Sequence, residues 1–152
     1  YTAGHSSAAS DVYKRQILDA EIRRSKRYHT PMSLYLLEFE FESDGNGFNY
    51  QQGERALRSL ARHFSDNIRD CDTLGRFDIQ RLSLLMPQTP GQEAQQVYNR
   101  MQLVVKEAFF KNLGFRVMIF YELHELDPEK DESASEIMAR LTDALEKART
   151  KQ

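Results

Sequence analysis

The sequence predicts an α/β domain in which one central mixed sheet carries packed helices. Three observations support this. Apolar residues recur at helical spacing in several segments, strand-like apolar runs lie between those segments, and one pair of short strands reads as a hairpin. The order is α-β-α-β-β-α-β-α, which mixes hairpin and crossover connections. At 152 residues the chain is long enough for one cored domain and too short to expect two.

The first helix is "ILDAEIRRSKRYHTP", from Ile17 to Tyr28, strongly basic and ended by Pro31. Its set Arg23, Arg24, Lys26 and Arg27 reads as a solvated face. Residues 1–16 are small and polar with no clear periodicity, so the expectation is a disordered tail, a linker or an assembly scar ahead of a domain over 17–152. The first strand is "MSLYLLEFEF", Met32 to Phe41. One face carries Leu34 and Leu36, and the other carries Tyr35, Leu37, Phe39 and Phe41.

A polar, glycine-bearing loop, "SDGNGFNYQQG", leads to a helix with Ala56, Leu57, Leu60, Ala61, Phe64 and Ile68 on one side. The hairpin strands lie near Asp72–Arg76 and Arg81–Met86. Pro87, Pro90 and Gly91 then break the chain. The next helix carries Ala94, Val97, Tyr98, Met101, Val104, Val105 and Ala108 inward. "FRVMIFYEL", Phe115 to Leu123, is apolar enough to be expected as a central, buried strand. The acidic loop "HELDPEKDES" precedes a last helix with Ile137, Met138, Leu141, Ala144, Leu145 and Ala148 inward. The assembly is of the ferredoxin-like sort.

Composition excludes several functions. A formal charge of −2 argues against a general nucleic-acid binder, which needs a basic excess to displace phosphate counterions. Cys71 is the only cysteine, so no intramolecular disulfide forms, and the reducing cytoplasm is the natural compartment. The chain would lie there alone or as the cytoplasmic part of a larger, membrane-attached protein. No apolar run nears the ~20 residues of a membrane helix. His5, His29, His63 and His124 have no metal-site spacing. "DGNGFN" from Asp44 begins like a calcium loop, but Arg55 stands where the bidentate glutamate is required. No phosphate-binding glycine loop or nucleophile elbow is present.

The hairpin turn poses the main question. "RDCDTLGRFDIQRLSLLMP", Arg69 to Pro87, bends at "FDIQ", where a glycine is normally needed for positive φ. From Ile17 to Arg149 the chain resembles the GGDEF domain, the diguanylate cyclase fold of bacterial signalling. That family runs R-x-x-D, five residues, G-G-D/E-E-F and an apolar strand ending in proline. Here "RDCD", "TLGRF", "DIQRL" and "SLLMP" follow in ungapped register. The resemblance implies a nucleotide-cyclase-like architecture with a single central mixed sheet of about five strands.

It also implies what has been lost. The family's two-metal chemistry needs an acid at the end of the first strand, an acid in the turn and two turn glycines. Glu38 occupies the first of these positions, and whether Glu38 and Glu40 keep a metal stays open. Asp78 and Ile79 replace the glycines, Gln80 replaces the metal-binding acid, and Arg81 would repel a cation. Ser43 stands at a usual lysine, and Arg149 at the phosphate-contacting lysine. The expectation is therefore no enzyme activity, no catalytic residue, no metal and no cofactor.

The family's inhibitory site, which binds cyclic di-GMP, uses the R-x-x-D and an arginine on the following helix. The resemblance assigns those roles to Arg69, Asp72 and Arg100. Guanidinium groups suit phosphate and the guanine O6/N7 edge, and a carboxylate suits the guanine N1–H and N2–H₂ donors. Cys71, between the two, is expected to point into the core. The leading expectation is a cyclic di-GMP receptor that acts on an attached sensory or effector domain or a partner protein, with a homodimer as one arrangement. The Pel-type exopolysaccharide receptor domain is the family precedent, which points to biofilm control. One alternative is a structural or dimerisation module binding no nucleotide, expected if Arg69 and Asp72 pair and face the core. Another is a GTP-binding pseudo-enzyme using Asn46 and Glu54.

Overall fold

The computed structural model describes residues 7–43, 50–78, 80–109 and 115–150. The elements are α1 (Ser7–Tyr28), β1 (Met32–Ser43), α2 (Tyr50–Ser65), β2 (Thr73–Arg76), β3 (Arg81–Pro87), α3 (Gly91–Phe109), β4 (Phe115–Leu126) and α4 (Ala134–Thr150). This is the order read from the sequence. Among the described residues no helix is long and apolar enough to cross a membrane.

The start of α1 differs from expectation, because the helix begins at Ser7 rather than Ile17. Periodicity reports only a helix with an apolar stripe, and that stripe starts at Leu18 and Ile22, the first buried positions described. Residues 7–16 are thus helical rather than disordered, while residues 1–6 lie outside the described residues. At its other end α1 closes with His29 at φ 52° and the Thr30 amide donating to the Ser25 carbonyl at 3.1 Å. A left-handed residue after the last turn, followed by such a bond, stops the helix before Pro31.

The sheet has four described strands in the order β2-β3-β1-β4, and every pairing is antiparallel. The expectation of a mixed sheet of about five strands is corrected accordingly. Both crossovers, β1-α2-β2 and β3-α3-β4, join strands that run parallel but are separated by an intervening strand. Neighbours in the sheet therefore always run opposite ways.

β4 is also corrected from central to edge among the described strands, since it pairs only with β1. Its continuous apolar run has another cause. Val117 and Ile119 pack on one side of the sheet, and Met118 and Phe120 on the other. A strand covered on both faces loses its polar alternation wherever it sits.

The alternation of β1 sorts the two cores. Tyr35, Leu37 and Phe39 face α2 and α3, where they meet Leu57, Leu60, Phe64 and Met101. Leu34 and Leu36 face α1 and α4, where they meet Leu18, Ile22, Ile137 and Leu141. Glu38 and Glu40 continue this second face toward the hairpin end of the sheet. α4 starts with Ser133 accepting the Glu136 amide at 3.2 Å, a serine cap with glutamate three residues on.

Two buried features have energetic consequences. Tyr35 and Tyr98 stack at 5.3 Å, and neither buried hydroxyl has a hydrogen-bond partner among the described residues. Burial, reinforced by Tyr121, pushes both phenols above their ordinary range. The acidic loop before α4 is pinned at three points. Lys26 reaches Asp131 at 2.8 Å, His29 lies 3.1 Å from Glu129, and the buried Glu132 meets His124 at 2.8 Å and Arg140 at 2.7 Å. Burial alone would raise the Glu132 carboxyl, but the bonds from Arg140 and His124 outweigh it, so its pKa lies below the ordinary glutamate value.

Tyr98→Phe is expected to leave stability within about 0.5 kcal/mol of wild type or to raise it, since no bond is lost. Phe64→Ala, which empties the same core, should cost about 3–5 kcal/mol in urea denaturation. Glu132 generates a pH dependence of definite sign. Its folded pKa lies below its unfolded one, so its contribution is fully present above about pH 4.3 and disappears as pH falls through the lower folded value. The stability gap between wild type and Glu132→Gln should therefore close as the solution is acidified below about pH 4.3.

Candidate functional site

The hairpin turn solves its missing glycine with a side chain. Asp78 Oδ1 accepts the Gln80 amide at 3.0 Å, and the Phe77 amide donates to the Arg81 carbonyl at 2.8 Å. An aspartate bonding its own backbone two residues on mimics a turn bond. Asp78 does not take a positive φ. Ile79 lies outside the described residues. The Phe39 amide donates to the Gln80 carbonyl at 2.9 Å and ties the turn to β1.

Beside this turn, Glu38, which the resemblance places at the family's first metal ligand, is paired with arginine. Glu38 is opposite Arg81 in the β1–β3 register, and its side chain is 3 % exposed. Arg81 Nε donates to Glu38 Oε1 at 2.9 Å, and Arg149 Nη1 lies 3.5 Å from Glu38 Oε2. Arg149 also pairs with Glu40. Arg81 further approaches Asp78 at 3.6 Å and Glu146 at 3.9 Å. The expectations for Arg81 and Arg149 are thereby sharpened. Arg81 does more than repel a cation, since it takes the carboxylate itself, and Arg149 contacts the carboxylates of Glu38 and Glu40. Among the described residues no group of three or more His, Cys, Asp or Glu could hold a metal.

Glu54, expected near guanine in the pseudo-enzyme alternative, is held by Arg76. Arg76 Nη1 donates to Glu54 Oε2 at 2.9 Å and its Nη2 to the other oxygen, and Arg58 lies 3.7 Å away. Asn46, its proposed companion, lies outside the described residues.

The R-x-x-D residues form a clasp at the opposite end of β3. Arg69 donates through Nη2 to Asp72 Oδ1 at 2.8 Å and through Nε to Oδ2 at 3.2 Å, and its amide donates to Oδ2 at 2.9 Å. Arg69 also donates to the Pro87 carbonyl at 3.2 Å and to the Thr89 hydroxyl. The Asp72 side chain is 1 % exposed and that of Arg69 48 % exposed. The pair therefore forms, and Asp72 faces inward while Arg69 stays open on one side. Cys71 is corrected from buried to exposed, because the chain turns there and directs the next residue, Asp72, into the clasp.

Arg100 is exposed on α3, and no hydrogen bond or ion pair joins it to Arg69 or Asp72. The helix nevertheless relates them. The Asp72 hydrogen bond chiefly holds the Arg69 guanidinium above its ordinary pKa, and the charge of Glu93 on the first turn of α3 contributes. Arg100 lies seven residues beyond Glu93, hence on the same face about 10.5 Å along the axis. The sequence reading missed Thr89 and the Pro87 carbonyl, which reach Arg69 only through tertiary folding.

Breaking the buried pair by Arg81→Ala should cost about 3–5 kcal/mol in urea denaturation at pH 7, because Glu38 is left with only the longer Arg149 contact. Replacing both partners, Glu38→Leu with Arg81→Met, should recover most of that loss.

Comparison with known proteins agrees with this fold. Residues 10–152 match the family described as "Diguanylate cyclase, GGDEF domain". The Bacillus subtilis protein YtrP is 23% identical over 141 residues, which cover 92% of this chain and 24% of YtrP, so the chain spans about a quarter of that relative's length. The active GGEEF domain of a Vibrio cholerae diguanylate cyclase superposes with a TM-score of 0.69 at 20% identity, covering 90% of this chain and 88% of that one. The GGDEF domain of DgcB from Caulobacter crescentus, solved in complex with c-di-GMP, gives 0.72 at 15% identity over 89% and 81%. The chain belongs to the GGDEF domain family.

Proposed function

We propose that this GGDEF domain makes no cyclic di-GMP and instead binds it, as a receptor or regulatory module. The absence of cyclase activity rests on the Arg81–Glu38–Arg149 arrangement. A carboxylate already neutralised by two guanidinium groups offers a divalent cation neither charge nor open coordination. Without the metals, nothing polarises a triphosphate or an attacking hydroxyl.

The receptor reading is carried by one observation: Arg69 stands at the family's spacing from the turn, anchored on one side and open on the other. Arg100 lies farther along the adjoining helix face, and the two guanidinium groups match a ligand with two phosphates. Asp72 holds Arg69 in the free chain. It accepts from guanine N1–H and N2–H₂ once Arg69 turns to a phosphate. The output then passes to an attached domain, a partner protein or a second copy, whose contacts the bound ligand shifts.

The structural-module reading also has a specific observation in its favour. Arg69 and Asp72 pair and join the loop before β2 to the loop before α3, which is a sufficient structural role. The experiment must therefore separate binding from loop anchoring. Calorimetric titration with cyclic di-GMP is expected to give saturable heat for wild type, and none with GTP and Mg²⁺. Arg100→Ala, an exposed helix substitution, should weaken binding at least ten-fold with stability within about 0.5 kcal/mol of wild type. Arg69→Ala should lose both binding and stability. No heat with cyclic di-GMP from folded wild type would overturn the receptor reading and leave the structural module.

A further inference from the structure

A cleft of about 370 Å³ opens on the sheet face that carries α1 and α4, over the hairpin half those helices leave partly uncovered. It is separate from the R-x-x-D clasp and independent of the receptor reading. Its floor is made by Thr73, Gly75 and Ser83, and its walls include Leu18, Phe77 and Met138. The volume falls within the range of small-molecule sites, which combine apolar walls with a few placed polar groups.

The floor sets the shape of an occupant. Gly75 pairs with Ser83 and Thr73 with Leu85, so Thr73 and Ser83 are diagonal neighbours roughly 7–8 Å apart. Gly75, buried at this floor, adds no side chain to it, so a flat group can lie across it. Neither the Thr73 nor the Ser83 hydroxyl has a hydrogen-bond partner among the described residues. Asp78 at the rim is already engaged with the Gln80 amide and near Arg81, so the site does not call for a cation. We infer that this cleft binds a planar bicyclic heteroaromatic molecule, stacked on the Gly75 backbone with its edges hydrogen-bonded to Thr73 and Ser83. Arg15 at the rim accommodates an acidic substituent on such a ring.

The test is a ¹H–¹⁵N titration of the whole chain with indole, beside cyclohexanol as a non-planar probe. Indole should give saturable shifts centred on the Thr73, Gly75 and Ser83 amides. Half-saturation near ~1 mM is what a nine-atom ligand of ordinary efficiency gives. Thr73→Val or Ser83→Ala, whichever removes the hydroxyl that accepts the single indole N–H, should weaken it about three- to ten-fold, and Met138→Trp, which fills the cleft, should abolish it. All three variants should keep the cyclic di-GMP response of wild type, so failure here is distinct from failure of the receptor reading. Equal binding of cyclohexanol, shifts centred elsewhere, no saturable shift, or binding unchanged in both hydroxyl variants would each overturn the inference.

Discussion

The carboxylate of Glu38 is the constraint on which the hairpin end of this domain depends. It lies on the central strand with almost no access to water, and a buried ion left alone costs several kcal/mol. Some cation must stand beside it. Here the chain supplies its own: Arg81 from the paired strand β3 and Arg149 from the last turn of α4. The same contacts therefore fasten the hairpin and the end of α4 to β1. A position that handles metal chemistry in the wider family holds three elements together in this chain.

The turn beside it joins the same set of contacts. An aspartate-bonded turn closes the hairpin, with Asp78 accepting the Gln80 amide. Asp78 then lends its second oxygen to the surroundings of Arg81.

At the other end of β3, Arg69 serves two loops at once. Its bonds to Asp72, Pro87 and Thr89 join the loop before β2 to the loop before α3. Thr89 passes the connection to the central strand, since Ser33 donates to its carbonyl at 2.8 Å. A ligand that drew the guanidinium outward would act on a clasp tied to β1. Under the proposed receptor function, Arg69 is then a point of leverage as well as of recognition, and Arg100, outside the clasp, isolates recognition better.

The sequence by itself determined the element order, the two-faced character of β1 and the family, because all three are written in local periodicity and in fixed spacing along the chain. Tyr35, Leu37 and Phe39 on one face and Leu34 and Leu36 on the other are read directly from alternation. The loss of the turn glycines and acid is equally legible. The start of α1 was not, because a helix without an apolar stripe leaves no periodic signal. Nor was the edge position of β4, since burial on both faces looks the same at either place in a sheet. Only the tertiary structure decided that Arg81 and Arg149 meet on Glu38, and that Asp72 turns inward while Cys71 stays exposed. Those contacts join residues 43 or more positions apart, or depend on the direction of a single turn, and spacing along a chain carries neither kind of information.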